Sequence, residues 1–190
     1  MLAQILNFLL NTIFGFFVFV LLARFFLQLM RAPFHNPLGQ FVIALTNWLV
    51  IPARRFIPGL FGRDLSSFVL AWLIEALLLL LLYVLRGGGL PGAPGAVIGI
   101  FFGLSLLELA RFSLYLLIGV ILIQAVISWI NPYAPLAPLF NTLTAPFLRP
   151  FRRLIPPIGN VDLSPLFVLV IAQLLLIPLE YLVRSMSVLF

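Results

Sequence analysis

The chain has 190 residues, of which 64% are hydrophobic and only 8% are charged, and its formal net charge at pH 7 is +6. A soluble domain carries about a quarter charged residues, so this composition excludes a water-soluble globule and indicates an integral membrane protein. Cysteine is absent from the sequence, which excludes disulfides and thiolate metal sites.

Four apolar runs each approach the length of about 20 residues that a helix needs to cross the hydrocarbon region. The runs are continuous rather than alternating, which favours helices over the strands of a membrane barrel. The predicted fold is therefore an all-α membrane protein, with four transmembrane helices arranged as two parallel-repeat helical hairpins. The predicted spans cover about 5–30, 65–85, 112–130 and 163–183.

Shorter apolar stretches follow the first and third spans, at 38–51 and 136–148. They are too short to cross the bilayer, so we expect short interfacial or re-entrant helices in the two cytoplasmic loops. A similar stretch at 97–107 is either another such segment or the early part of the third span. The Gly/Pro-rich linker at 87–95 predicts a boundary between two units, residues 1–86 and 96–190.

The two units repeat at a constant separation of 98 residues, with no gap from Asn36 to Arg86. The pattern P-x-R-R-x-I-P followed by D-L-S occurs in both, so matched arginine, proline and aspartate residues stand in register. Chance in an apolar chain explains matched leucines but not these matches, and we infer an internal duplication. Each repeat contains two crossings, so the two repeats point the same way, unlike the inverted repeats of many transporters.

The second copy of this pattern, LTAPFLRPFRRLIPPIGNVDLSPL, closely resembles the signature of the YggT family, also called YlmG. The first copy, LTNWLVIPARRFIPGLFGRDLSS, is similar but has Trp48, Gly59 and Ser67 where the second copy has proline. The resemblance implies a small integral protein of the bacterial cytoplasmic (inner) membrane with two tandem repeats. It also implies roles associated with the family: osmotic-stress tolerance and ion uptake, cell division or envelope organisation, and, in plastids, cytochrome maturation and nucleoid distribution.

Arginine, the only cation-forming residue besides the single histidine, predicts the orientation. Short loops rich in basic residues stay cytoplasmic, and seven arginines fall in the loops after the first and third spans. Three fall on the opposite side: Arg86, Arg111 and Arg184. We therefore expect both arginine-rich loops in the cytoplasm, and both termini and the Gly/Pro linker on the periplasmic side.

The arginine-proline loops are the first candidate site. Arginine presents bidentate donors to phosphate, and basic residues beside a membrane are attracted to anionic head groups. The alternative is that these residues only set topology and cap the following helices. The candidate residues for binding a lipid or a partner protein are Arg149, Arg152, Arg153, Arg54, Arg55, Asp162 and Asp64.

Polar residues within the predicted spans form the second candidate site: Arg24, Glu75, Gln124 and Gln173. Polar groups in a bilayer are costly and usually paired, so we expect Arg24 to pair with Glu75 and Gln124 with Gln173. Alternatively, Arg24 extends to the interface while Glu75 is neutral or hydrogen-bonded, or Glu75 lies on an ion pathway. A surface ion pair is expected between Glu108 and Arg111.

No nucleophile-base set, phosphate loop or metal-ligand spacing is found in the sequence, so no enzymatic activity, cofactor or metal is expected. Without an exposed basic helix interleaved with aromatic residues, direct nucleic-acid binding is not expected either. Two functions remain. One is a scaffold or assembly factor that binds membrane lipids and a protein partner, or forms a homo-oligomer. The other is a component of an ion transporter or channel.

Overall fold

The computed structural model describes residues 1–57, 65–87, 94–154 and 162–187, with the backbone alone at 94–98 and 187. These residues form six helices: α1 (Leu2–Leu29), α2 (Pro37–Ala53), α3 (Ser66–Leu85), α4 (Pro94–Ile130), α5 (Ala137–Leu154) and α6 (Ser164–Ser187). The all-α prediction is confirmed for the described part of the chain.

Four of these helices are long and apolar enough to cross a membrane: α1, α3, α6 and the part of α4 from Gly99 to Ile130. They carry large apolar side chains on their outer surfaces, such as Phe8 at 68% exposed and Ile177 at 66% exposed. Side chains of this kind are suited to contact with lipid. Helix α1 packs against α3, and α4 against α6, α3, α5 and α1. The grouping of the spans into one hairpin per repeat stays a prediction.

Helix α4 begins well before the position predicted for the third span. The stretch at 97–107 is the early part of this helix, which was one of the two alternatives. From Gly99 to Ile130 the helix has 32 residues, so it is about 48 Å long at 1.5 Å per residue. The sequence between 104 and 111 is rich in good helix formers, and the two charged residues there pair with each other, so nothing ends the helix at that point.

The short helices α2 and α5 pack into equivalent places in the two repeats. Val50 of α2 joins a buried cluster with residues of α1, α3 and α4, and Leu148 of α5 packs with Ile121 of α4 and Val168 of α6. Val50 and Leu148 are 98 residues apart, and both are fully buried. The duplication therefore extends to the packing: in each repeat a short helix inserts an apolar side chain between long helices.

The second arginine-proline segment is not a loop from its beginning, because α5 continues to Leu154. Pro146 and Pro150 both lie inside this helix and are exposed. Each proline removes only one helical hydrogen bond, and two prolines four residues apart lie on one face, so the remaining bonds can keep the helix intact. Arg149, Arg152 and Arg153 are consequently held on a helix. Residues 155–161, the rest of the proline-rich part, lie outside the described residues.

Candidate functional site

Arg152 connects the end of α5 to the start of α6. Its Nε donates to Oδ2 of Asp162 at 2.7 Å, and Oδ1 of Asp162 accepts from the backbone N–H of Ser164 at 2.9 Å. Burial alone would raise the pKa of Asp162, but hydrogen bonds from Ser164 and the Arg152 guanidinium outweigh it and hold the pKa below its ordinary value. Asp162 thus accepts a backbone N–H at the start of α6, which is the contact that the alternative, a capping role, predicts. The bond to Nε leaves the two Nη groups of Arg152 available as donors.

Three arginines line one polar cavity of about 800 Å³, which we call the junction cavity because both repeats contribute to it. Arg149 and Arg152 come from α5, and Arg31 follows the end of α1. Among the described residues, no ion pair is recorded for Arg31 or Arg149. The cavity therefore carries an excess of positive charge and can accept an anion. Its other lining residues are Leu29, Met30, Gln124, Ser128, Asn141, Thr142, Ala145 and Pro146.

The end of α1 places Arg31 in this cavity. Arg31 has φ of 53°, the left-handed conformation that normally favours glycine. Its N–H bonds to the carbonyl of Gln28 at 3.1 Å and the N–H of Ala32 to that of Leu27 at 2.8 Å, the two bonds of a Schellman motif. Leu27 and Ala32 then pack with Leu139 of α5. The left-handed backbone conformation costs free energy for an arginine, which has a Cβ. Backbone strain of this kind clusters at functional sites, so the Arg31 side chain is a candidate functional group.

Arg24 is 4% exposed and joins α1 to α2. Its Nη1 donates to Oγ1 of Thr46 at 2.6 Å and to Oδ1 of Asn47 at 2.9 Å. The expected Arg24–Glu75 ion pair is not among those recorded between described residues. The sequence hypothesis paired residues of the two predicted spans. In the structure, α2 supplies two acceptors to Arg24, because the buried middle of α2 lies beside α1.

Gln124 makes the corresponding connection in the second repeat. Its Nε2 donates to Oδ1 of Asn141 of α5 at 3.2 Å, whereas Gln173, the partner expected from the sequence, is exposed on α6. In both repeats, then, a polar side chain near the same end of the long helix bonds to the short helix that follows. Gln124 is 2% exposed, and its Oε1 has no hydrogen-bond partner among the described residues.

Glu75 of α3 is 3% exposed and lies within electrostatic range of Glu108 and Arg111 of α4. The predicted Glu108–Arg111 ion pair is formed, but it is not at the surface, since Glu108 is only 7% exposed. Its position inside the elongated α4 explains the difference. Glu75, Glu108 and the half-buried Arg111 form a polar group between α3 and α4.

The remaining candidates lie at the ends of the short helices. Arg54 is the C-cap residue of α2 and Arg55 follows it, while Arg153 lies in the last turn of α5. All three are exposed. Asp64, the predicted counterpart of Asp162, lies outside the described residues.

An apolar groove of about 580 Å³ runs between α1 and α6, with α4 and α5 also lining it. Met30 lines both this groove and the junction cavity, so the two are adjacent. The groove is lined by Phe26, Met30, Ala110, Ser113, Leu114, Leu116, Leu117, Val120, Leu143, Phe147, Leu175, Pro178, Leu179 and Leu182.

Sequence reasoning missed Arg31, Thr46 and Asn141 as site residues. Thr46 had a usable signal, because it matches Thr144 at the 98-residue separation of the repeats. Arg31 was counted only as a loop charge, since its left-handed conformation is not visible in a sequence. Within the described residues, no group of three or more metal-ligating side chains is found.

The CCB3/YggT family model matches two segments of the chain, residues 3–85 and 103–183. Among similar proteins, an uncharacterized protein of Pseudomonas aeruginosa is 39% identical, over 88% of this chain and 84% of the relative. A protein of Vibrio alginolyticus encoded in the proC 3' region is 35% identical over 85% of each chain. The uncharacterized protein YggT of Escherichia coli K12 is 30% identical, over 87% of this chain and 84% of the relative.

No solved structure matches this chain. The match to the family model covers both repeats, and the bacterial relatives extend over most of their own lengths, so the resemblance inferred from the arginine-proline signature is confirmed. The chain belongs to the CCB3/YggT family.

Proposed function

We propose that this protein is a non-enzymatic scaffold or assembly factor of the bacterial inner membrane that binds anionic lipid through the arginine-bearing end of α5. The observation that carries the proposal is the junction cavity, where Arg31, Arg149 and Arg152 line one polar space. Guanidinium groups bind phosphate with paired donors. In the proposed orientation this cavity opens on the cytoplasmic side and both termini are periplasmic.

The bond between Arg152 and Asp162 supports binding rather than topology alone. A residue that only set orientation would need charge but no fixed geometry. The contact between Arg152 and Asp162 holds the guanidinium in one direction and keeps its outer nitrogens available for a ligand. A membrane scaffold of this kind would also contact a protein partner or a second copy through its exposed apolar helices, and we propose for it the role in osmotic-stress response that the family resemblance implies.

The experiment replaces arginine with lysine, which keeps the charge but loses the planar fork. Arg152→Lys with Arg153→Lys is compared with the matched control, Arg54→Lys with Arg55→Lys. After purification in mild detergent, we expect the α5 variant to insert normally yet bind phosphatidylglycerol about tenfold less tightly, with impaired complementation of an osmotic-stress phenotype. Wild-type lipid binding and complementation in the α5 variant would leave only the topological role.

Ion transport is a second candidate, favoured by the buried carboxyl groups of Glu75 and Glu108 and their neighbour Arg111. Carboxylates inside a membrane protein often mark ion or proton paths. The direct test is ion flux through liposomes that contain purified protein. Flux that Glu75→Gln abolishes would favour transport over the scaffold, and no flux above that of empty liposomes would reject it.

A further inference from the structure

One stripe of α4 connects the apolar groove to the junction cavity. Ser113, Leu117 and Val120 line the groove, and Gln124 and Ser128 line the cavity. These positions are three or four residues apart, so they lie on one face of the helix. The surface therefore changes from apolar to polar along α4, towards the end where the three arginines lie.

From this arrangement we infer that the protein holds one anionic glycerophospholipid at the junction of its repeats. The phosphate lies among Arg31, Arg149 and Arg152, and an acyl chain lies along α4 in the groove between α1 and α6. The inference rests on the proposed lipid binding and gives it a defined site that the first repeat must help to form, because Arg31 and Met30 belong to that repeat.

The dimensions suit a single lipid of one leaflet. From Ser113 to Ser128 there are 15 residue-to-residue steps, or about 22 Å at 1.5 Å per step. Half of a bilayer with its head groups measures about 20–22 Å. A free phosphate would use only the cavity, and an uncharged lipid only the groove. An amphiphile with an anionic head uses both.

Gln124 adds a reason to expect a head group with a hydrogen-bond donor. Its Oε1 is buried and without a partner among the described residues, and Gln124 lines the cavity. A buried acceptor without a donor costs about 1–3 kcal/mol, so a small rotation of the Gln124 side chain that brings Oε1 to a donor of a molecule bound in the cavity would be favourable. The glycerol head of phosphatidylglycerol carries two hydroxyl groups beside its phosphate, which makes this lipid the appropriate probe.

Two variants test the site outside the proposed α5 arginines. Arg31→Gly removes a guanidinium but fits the backbone, since glycine is favoured at that position of a Schellman motif. Leu175→Trp fills the groove from α6. Its matched control is Leu174→Trp. Leu174 precedes Leu175 on α6 and is similarly exposed, at 59% against 54%, but it lines neither the groove nor the junction cavity.

Native mass spectrometry of the detergent-purified full chain, titrated with phosphatidylglycerol or phosphatidylcholine, measures the binding. We expect one tightly held phosphatidylglycerol in the wild type and in Leu174→Trp, with about tenfold weaker binding in both Arg31→Gly and Leu175→Trp. Thermal unfolding checks that each variant is folded. We expect glycerol phosphate, added as a competitor without chains, not to displace the lipid.

Equal binding by Leu175→Trp and Leu174→Trp, or displacement by glycerol phosphate, would overturn the inference that a chain occupies the groove. Unchanged binding by Arg31→Gly would remove the first repeat from the site and overturn it as well. These results are separate from the test of the proposed function, which uses the lysine variants of α5. If the lysine variants lose lipid binding while Arg31→Gly and Leu175→Trp keep it, the proposed function stands and the defined site does not.

Discussion

At the scale of single residues, Thr46 and Thr144 show how the two repeats diverged around a shared feature. They are 98 residues apart, both are fully buried, and each hydroxyl donates to the carbonyl four residues earlier. Only Thr46 also accepts a bond from a buried guanidinium, that of Arg24. Thr46 therefore bonds to a charged side chain as well as to its own helix. For Thr144 the structure shows only the hydrogen bond to its own helix.

Replacing each threonine with valine separates these two roles. Valine keeps the shape but has no hydroxyl, so Thr46→Val removes one acceptor from a buried charge. We expect it to lower the free energy of unfolding by about 1.5–3 kcal/mol, the range for hydrogen bonds to charged groups. Thr144→Val is the control and is expected to cost less than about 1 kcal/mol, because a hydroxyl bonded back to its own helix contributes little. Equal losses in thermal or denaturant unfolding would show that the Arg24 bond does not stabilise the fold.

From the sequence we could predict that polar side chains within the spans form hydrogen bonds, but we could not predict their partners. Arg24 and Gln124 were both recognised as buried groups in need of partners. Their acceptors, on α2 and α5, depend on how the short helices rotate and how deeply they insert. The stretch that forms α2 is apolar on most sides, so its hydropathy does not report how the helix is rotated. The depth to which either short helix inserts depends on tertiary packing, which hydropathy does not report.

At the scale of elements, the junction between α5 and α6 depends on one carboxylate. Because the folded-state pKa of Asp162 lies below its ordinary value of 3.8, the ionised group contributes stability above that value. The contribution is lost as pH falls through the lower folded-state pKa. Arg152 and Asp162 are 38% and 23% exposed, so solvent and salt weaken the pair and we expect a modest effect.

The corresponding experiment compares wild type with Asp162→Asn between about pH 6 and about pH 3. Wild type should unfold at a higher temperature than the variant near neutral pH. The gap should narrow as pH falls below about 4, because protonated Asp162 then resembles asparagine. The other carboxylates are present in both proteins, so their effect on the unfolding temperature cancels when the two proteins are compared. A gap that stays constant over this range would show that ionised Asp162 does not stabilise the junction.

The sequence predicted the helices correctly where hydropathy alone determines whether a helix forms. Length and continuous hydropathy predicted four long helices, and the structure has them. Two boundaries were less accessible. Helix α4 extends past Glu108 and Arg111, which pair with each other. Helix α5 continues through Pro146 and Pro150, although proline is normally a helix breaker. In both cases neighbouring residues compensate for a feature that would otherwise end a helix.

At the scale of the whole molecule, the structure sharpens the charge argument for orientation. The sequence argument set seven arginines against three, counting Arg111 among the three. Arg111 lies inside α4 and pairs with Glu108, so it does not belong to a loop and should not count. The seven arginines that follow the first and third spans, three of them at the end of α5, then oppose Arg86 and Arg184, and Arg184 has Glu180 within 3.8 Å.

This asymmetry predicts the side of the membrane on which the junction cavity opens, and the absence of cysteine from the chain makes the test direct. Single cysteines are placed at Leu154, which is 77% exposed beside the arginines of α5, and at Gly89 in the linker. In intact spheroplasts, a thiol reagent that cannot cross the membrane should label Gly89→Cys at once. It should label Leu154→Cys only after the membrane is permeabilised, because we expect the arginine-rich side to face the cytoplasm. The cysteine-free parent controls for background labelling. Labelling of Leu154→Cys in intact spheroplasts, with Gly89→Cys protected, would invert the orientation and place the cavity and its lipid in the outer leaflet.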